Sequence, residues 1–159
     1  MFTSQLAFRQ EFQKTLASSR LHQWFDQMGG EQPALADFPD PIALRQFLRS
    51  PSSPAQRVRE IWRALIRATQ ARRTPEAITF VLGLLQPALS AFVDKALADG
   101  ALIKDSAGEL MEAEDVWQQV VTATLRALAN AKLPGRDAVL AGLLIDIRQP
   151  FRSWVRGEF

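Results

Sequence analysis

The stretch AITFVLGLLQPALSAFVDKAL, Ala77 to Leu97, is apolar on most faces of the helix it spells. A helix of that kind has to be covered by neighbours on several sides, so it predicts the centre of a helical bundle. Pro87 lies inside it, removes one backbone donor, and predicts a kink or a split near Leu85. Thr74-Pro75 supplies the start, with an acceptor at the N-cap and proline at the first helical position. Asp40-Pro41 and Ser53-Pro54 repeat that pattern, announcing two more helices.

The segments on either side are amphipathic. Val58, Ile61, Trp62, Leu65 and Ile66 fall at helical spacing between Pro54 and Arg73, with arginines filling much of the remaining surface. Upstream, residues 3–28 read as a helix or a pair of helices anchored by Phe8, Phe12, Leu16, Leu21, Trp24, Phe25 and Met28, and ended by Gly29-Gly30. Residues 31–41, with three prolines, read as a linker or an extended surface segment. Asp99-Gly100 predicts a stop after the central run, followed by a loop.

A further helix spans about Glu112 to Ala131, with Val116, Trp117, Val120, Val121, Leu125 and Leu128 on one stripe. Leu133-Pro134-Gly135 breaks the chain. The last helix starts near Arg136 or Asp137 and carries Leu140, Leu143, Leu144, Ile147, Phe151, Trp154 and Val155, with Pro150 as a second kink. No segment alternates with period two. The fold class is therefore all-α, a single helical bundle of roughly six helices. Residues 1–50 read as an N-terminal helical extension and linker, and residues 51–159 as the bundle itself.

The 159 residues are 47% hydrophobic and 23% charged, include no cysteine, and carry a formal net charge of +2. Such a composition excludes a disulfide framework and thiolate metal sites, and fits a soluble protein of the cytoplasm. No run reaches the ~18 uninterrupted apolar residues of a membrane span. Charge is uneven along the chain. Arg57, Arg59, Arg63, Arg67, Arg72 and Arg73 crowd one helix, while Asp105, Glu109, Glu112, Glu114 and Asp115 gather before and within another.

Catalysis has little to stand on. His22 is the only histidine, and beside Trp24 on an amphipathic helix it reads as a packing or capping residue rather than a general base. No phosphate loop, nucleophile motif or metal-ligand spacing is present, so neither an enzyme nor a bound cofactor is expected. Binding has more support. Arg148, Arg152 and Arg156 recur every four residues and form a basic stripe, suited either to phosphates or to complementing the helix dipole. The arginines of residues 57–73 admit a nucleic-acid reading too, or pairing with acids of the same fold.

The stretch EAEDVWQQVV, Glu112 to Val121, starts with acids that the helix dipole favours by ~0.3–1 kcal/mol each. Dipole complementarity does not explain the polar ridge that follows, Gln118, Gln119, Thr122 and Arg126. This stretch resembles the Asp-Ala-Glu-Asp-Leu-Val-Gln-Glu-Val-Phe signature of region two in bacterial RNA polymerase sigma factors, in particular the compact extracytoplasmic-function type. Downstream, Leu143-Leu144-Ile145-Asp146-Ile147-Arg148, followed by Arg152 and Arg156, is similar to the end of that region. The resemblance covers residues 75–156. It implies a transcription protein whose Glu114, Asp115, Gln118, Gln119 and Thr122 face the clamp helices of the largest subunit of core RNA polymerase. It also implies that Arg148, Arg152 and Arg156 face promoter DNA.

Two departures accompany it. Residues 133–144 lack the aromatics and basic residues of the family's promoter-melting segment, and no second helix-turn-helix domain is encoded within these residues. Residues 1–73 have no counterpart, and the alternatives for them are to cover the DNA face, to extend the bundle or to bind a regulatory protein. The competing expectation is a helical protein-interaction module, or a transcription regulator without sigma activity.

Overall fold

The structure, a computed structural model, describes residues 4–98, 113–132 and 138–155. Among them stand eight helices and no strand: α1 (Gln5–Leu16), α2 (Ser19–Glu31), α3 (Pro33–Ala36), α4 (Pro41–Arg49), α5 (Ala55–Ala71), α6 (Pro75–Ala98), α7 (Ala113–Asn130) and α8 (Val139–Val155). The all-α bundle is as expected. The helix count exceeds six because the N-terminal segment is a pair and because residues 33–36 add a turn. The predicted stop at Asp99-Gly100, the break at residues 133–135 and the acids Asp105, Glu109 and Glu112 lie outside the described residues.

Helix starts follow side-chain chemistry. The Asp40 carboxylate accepts from the Ala43 N–H at 2.8 Å, and the Thr74 hydroxyl accepts from Ala77 N–H at 3.1 Å, each ahead of a proline. Ser53 departs from this pattern. Its hydroxyl turns back to donate to the Phe47 carbonyl at 2.6 Å, and α5 begins behind Pro54 with no side-chain cap. Gly29-Gly30 does not end α2 either; the helix runs through both to Glu31, and the Gln32 N–H closes it on the Met28 carbonyl at 2.7 Å. The linker expected after it contains the α3 turn, which buries Leu35 completely.

α6 packs against α1, α2, α5, α7 and α8. By length and composition it is the one helix among the described residues that could cross a membrane, and 56% of that stretch is buried within the protein. It is unbroken through Pro87, as α8 is through Pro150. Continuity costs the helix bond that residue 87 would give to the Gly83 carbonyl, four residues earlier, and a proline ring crowds that same carbonyl.

Gly83 has a second neighbour. A β-carbon built there would overlap the Phe12 ring, so the ring of α1 lies against α6 in space that only glycine leaves open. The Arg45 guanidinium of α4 sits 5.2 Å from the centroid of the Phe12 ring. Burial, and then the Arg49 charge, pull the Arg45 pKa below its ordinary value. One turn back, Phe8 stacks on Phe12 with centroids 6.1 Å apart and leans on Trp117 of α7 at 5.6 Å. All seven predicted N-terminal anchors are buried, as are Ile61, Trp62, Leu65 and Ile66 of α5. They belong to one core that also takes in the inner faces of α6, α7 and α8.

Three side chains tie helix ends to this core, through four hydrogen bonds. Trp24 Nε1 donates to the Arg72 carbonyl at 3.0 Å. Gln70 Nε2 reaches the Leu128 and Ala131 carbonyls at the end of α7, at 3.0 and 3.1 Å. His22 Nε2 donates to the Leu16 carbonyl at the end of α1, at 2.9 Å. A carbonyl only accepts, so the proton resides on Nε2 and His22 is a capping residue.

The glycines separate two effects that sequence alone confounds. Gly83→Ala is expected to lower stability in chemical denaturation by about 1–3 kcal/mol through overpacking, even though alanine is the better helix former by ~1 kcal/mol. Phe12→Leu in the same chain should recover part of that loss. Gly30 has open space around it, and Gly30→Ala should instead stabilise by up to about 1 kcal/mol. A stabilised Gly83→Ala protein would rule out the close approach.

Candidate docking face on α7 and α8

α7 divides the signature residues between two faces. Val116, Trp117, Val120 and Val121 are buried, Trp117 fully so. Glu114, Gln118 and Thr122 are exposed, and Asp115 and Gln119 are half-exposed beside them. The division follows from the period of 3.6, because residues 114, 118 and 122 recur at four-residue steps along one side. Glu114 and Asp115 occupy the first turn, where the helix dipole favours acids. The Thr122 hydroxyl donates to the Gln118 carbonyl at 2.9 Å, so toward a partner it can only accept.

The inner side explains how the ridge is held. Trp117 Nε1 has no hydrogen-bond partner among the described residues, and burying such a donor costs about 1–3 kcal/mol. Apolar contact with Phe8 and the core has to exceed that cost, which makes Trp117 a packing anchor rather than a polar one.

Between α7 and α8 opens a cleft of about 390 Å³. Gln119, Thr122, Arg126 and Asn130 line it from α7, and Asp146, Pro150 and Trp154 are prominent on the α8 wall. Trp154 stacks on Phe151 with centroids 6.2 Å apart and planes 19° from parallel. Pro150 cannot supply the helix bond to the Asp146 carbonyl one turn back, and both residues line the opening. The cleft therefore joins an aromatic wall to amide, guanidinium and carboxylate groups, a combination suited to gripping a partner's side chain.

Of the predicted site residues, the structure brings Gln119 and Thr122 to this cleft, while Glu114 and Gln118 continue the ridge along α7. Arg148 and Arg152 are exposed on α8, but not in the cleft. They follow Asp146 and Pro150 by two residues, about 200° around the helix axis, and share their side with Ile145, which is 44% exposed. Arg156 lies outside the described residues. Sequence reasoning missed the cleft, placing Asn130 nowhere and treating Pro150 only as a kink. The available signal was the step from Asp146 to Pro150 to Trp154, a polar and proline-bearing line opposite the arginine stripe.

No family model, curated protein or solved structure matches the chain.

The cleft can be checked by fluorescence. Trp24, Trp62 and Trp117 are at most 4% exposed, whereas Trp154 is half-exposed at the cleft. Acrylamide quenching should therefore arise mainly from Trp154, and Trp154→Phe should remove most of it. Unchanged quenching in that variant would show the cleft to be closed.

Proposed function

We propose that the chain is a sigma-factor-like transcription protein that binds core RNA polymerase through the outer face of α7. The observation that carries this reading is the division of the signature helix: the residues that the resemblance assigns to polymerase are solvent-accessible, over a buried backing. Glu114 and Gln118 form the exposed centre of the interface, with Asp115, Gln119 and Thr122 beside them. The clamp helices of the largest subunit are the partner the resemblance implies. Promoter DNA is a second partner, met by Arg148 and Arg152 on the side of α8 away from the cleft, with Arg156 in the same sequence register.

The α7–α8 cleft favours a second reading, a helical interaction module or transcription regulator without sigma activity. Its lining extends the polar ridge past the signature toward Arg126, Asn130 and Trp154, more surface than the signature alone requires. On that reading the partner inserts a side chain between the two helices and DNA has no part.

Mixing the purified chain with core polymerase, or with a clamp-helix fragment, separates the two. Glu114→Lys with Gln118→Ala is expected to weaken binding tenfold or more, about 1.4 kcal/mol, while thermal melting falls only slightly, by the ~0.3–1 kcal/mol that the helix dipole contributes at Glu114, because both side chains are exposed. Wild-type affinity in that double variant would remove α7 from the interface. Tight binding lost on Trp154→Ala but kept in the α7 variant would favour the interaction module.

A further inference from the structure

The fold accounts for only part of the arginine run in residues 57–73. Arg57 pairs with Asp37 and with Glu60, and sits 5.9 Å from the Phe38 ring centroid. Arg72 donates to the Gln27 side-chain oxygen at 2.8 Å. Arg59 and Arg67 are exposed on α5, and no carboxylate among the described residues forms an ion pair with either. Arg63 lies half-buried between them and is already engaged within the fold, so the exposed guanidinium groups on this side of the helix are those of Arg59 and Arg67, eight residues apart. Gln56, also exposed, heads the same side. Glu60, the one acid of α5, is drawn to Arg57.

Arg59 and Arg67 are separated by a rise of ~12 Å, the axial length of three to four base pairs at about 3.4 Å each. Residues 54–73 contain arginine and no lysine, and the forked guanidinium matches phosphate with two parallel hydrogen bonds. Glutamine is a further phosphate donor at nucleic-acid interfaces. We infer that the outer side of α5, centred on Arg59 and Arg67, binds the phosphate backbone of a nucleic acid. This surface is independent of the polymerase reading, since α5 lies within the part of the chain that has no sigma counterpart and supplies none of its site residues.

The test is fluorescence anisotropy of the full chain with a labelled duplex of arbitrary sequence, titrated between about 50 and 200 mM salt. Affinity should fall linearly in a log–log plot, and Arg59→Gln with Arg67→Gln should reduce the slope by about 2, one unit for each lost phosphate contact. Arg59→Lys with Arg67→Lys should keep most of the slope, because charge dominates it. The same decrement should appear in an Arg148→Ala, Arg152→Ala background, which separates α5 from any DNA contact made by α8. A wild-type slope in the glutamine variant would overturn the proposal. So would displacement of the labelled duplex by polyglutamate as effective as by unlabelled duplex at matched charge, since that would assign the face to an acidic protein. Both substituted side chains are exposed, so melting should follow the wild type; if it does not, Arg59→Gln alone should lower the slope by about 1.

Discussion

Much of the architecture depends on the absence of one β-carbon. Phe12 can occupy its place only because residue 83 is glycine, and that contact seats the Phe12 ring of α1 against α6. The same α6 turn tolerates Pro87, whose ring crowds the residue-83 carbonyl. A glycine there leaves the backbone the freedom to absorb that crowding. From Phe12 the constraint passes to Phe8, and from Phe8 to Trp117. The α7 ridge is thereby held by a chain of aromatic contacts that starts outside the segment covered by the sigma resemblance. α1, Gln5–Leu16, is part of what positions the candidate site, whatever else it binds.

The parts of the fold legible in the sequence are those governed by periodicity. The apolar stripes of α1, α2, α5, α7 and α8 follow from side chains three and four apart needing one common dry side. Asp40 and Thr74 were legible because a cap is settled within four residues. The misreadings arose where a local rule met a tertiary contact. Ser53 had the right neighbour in Pro54, but the Phe47 carbonyl offered its hydroxyl a better partner. Gly29 and Gly30 looked like a stop, yet helical backbone suits glycine at a cost of only ~1 kcal/mol, and the buried Met28 and Leu35 on either side hold the chain in place. Pro87 was read as a kink or a split and Pro150 as a kink; the split does not occur, because packing of α6 against several helices outweighs one missing hydrogen bond.

The candidate site was legible to the same extent and for the same reason. Which signature residues point outward follows from the helical period, and the structure has that division. The cleft does not follow from it, because its two walls come from segments some twenty residues apart whose crossing is set by core packing. Nor could the sequence say which arginines are spent internally. Arg57 and Arg72 take partners from residues 37 and 27, contacts that exist only once α2 and the segment around α3 have folded against α5.

Charge segregation gives the two proposed surfaces different physics. The acids of α7 sit in its first turn, where the helix dipole already stabilises them, so a partner gains from the ridge mainly by hydrogen bonds that replace the water lost from Gln118 and Gln119. Arg59, Arg63 and Arg67 sit inside α5, away from a terminus whose dipole would favour them. The internal pairs of α5 are exposed, and exposed ion pairs contribute ~0–1 kcal/mol, so the Arg57 contacts with Asp37 and Glu60 can be made or lost with little effect on folding. The two arginines left without acids are not needed to hold the bundle together. Their charge remains available for attraction over a Debye length, about 8 Å at physiological salt. A polyanion would therefore be drawn toward α5 and repelled from the start of α7, which orients the molecule before either surface makes contact.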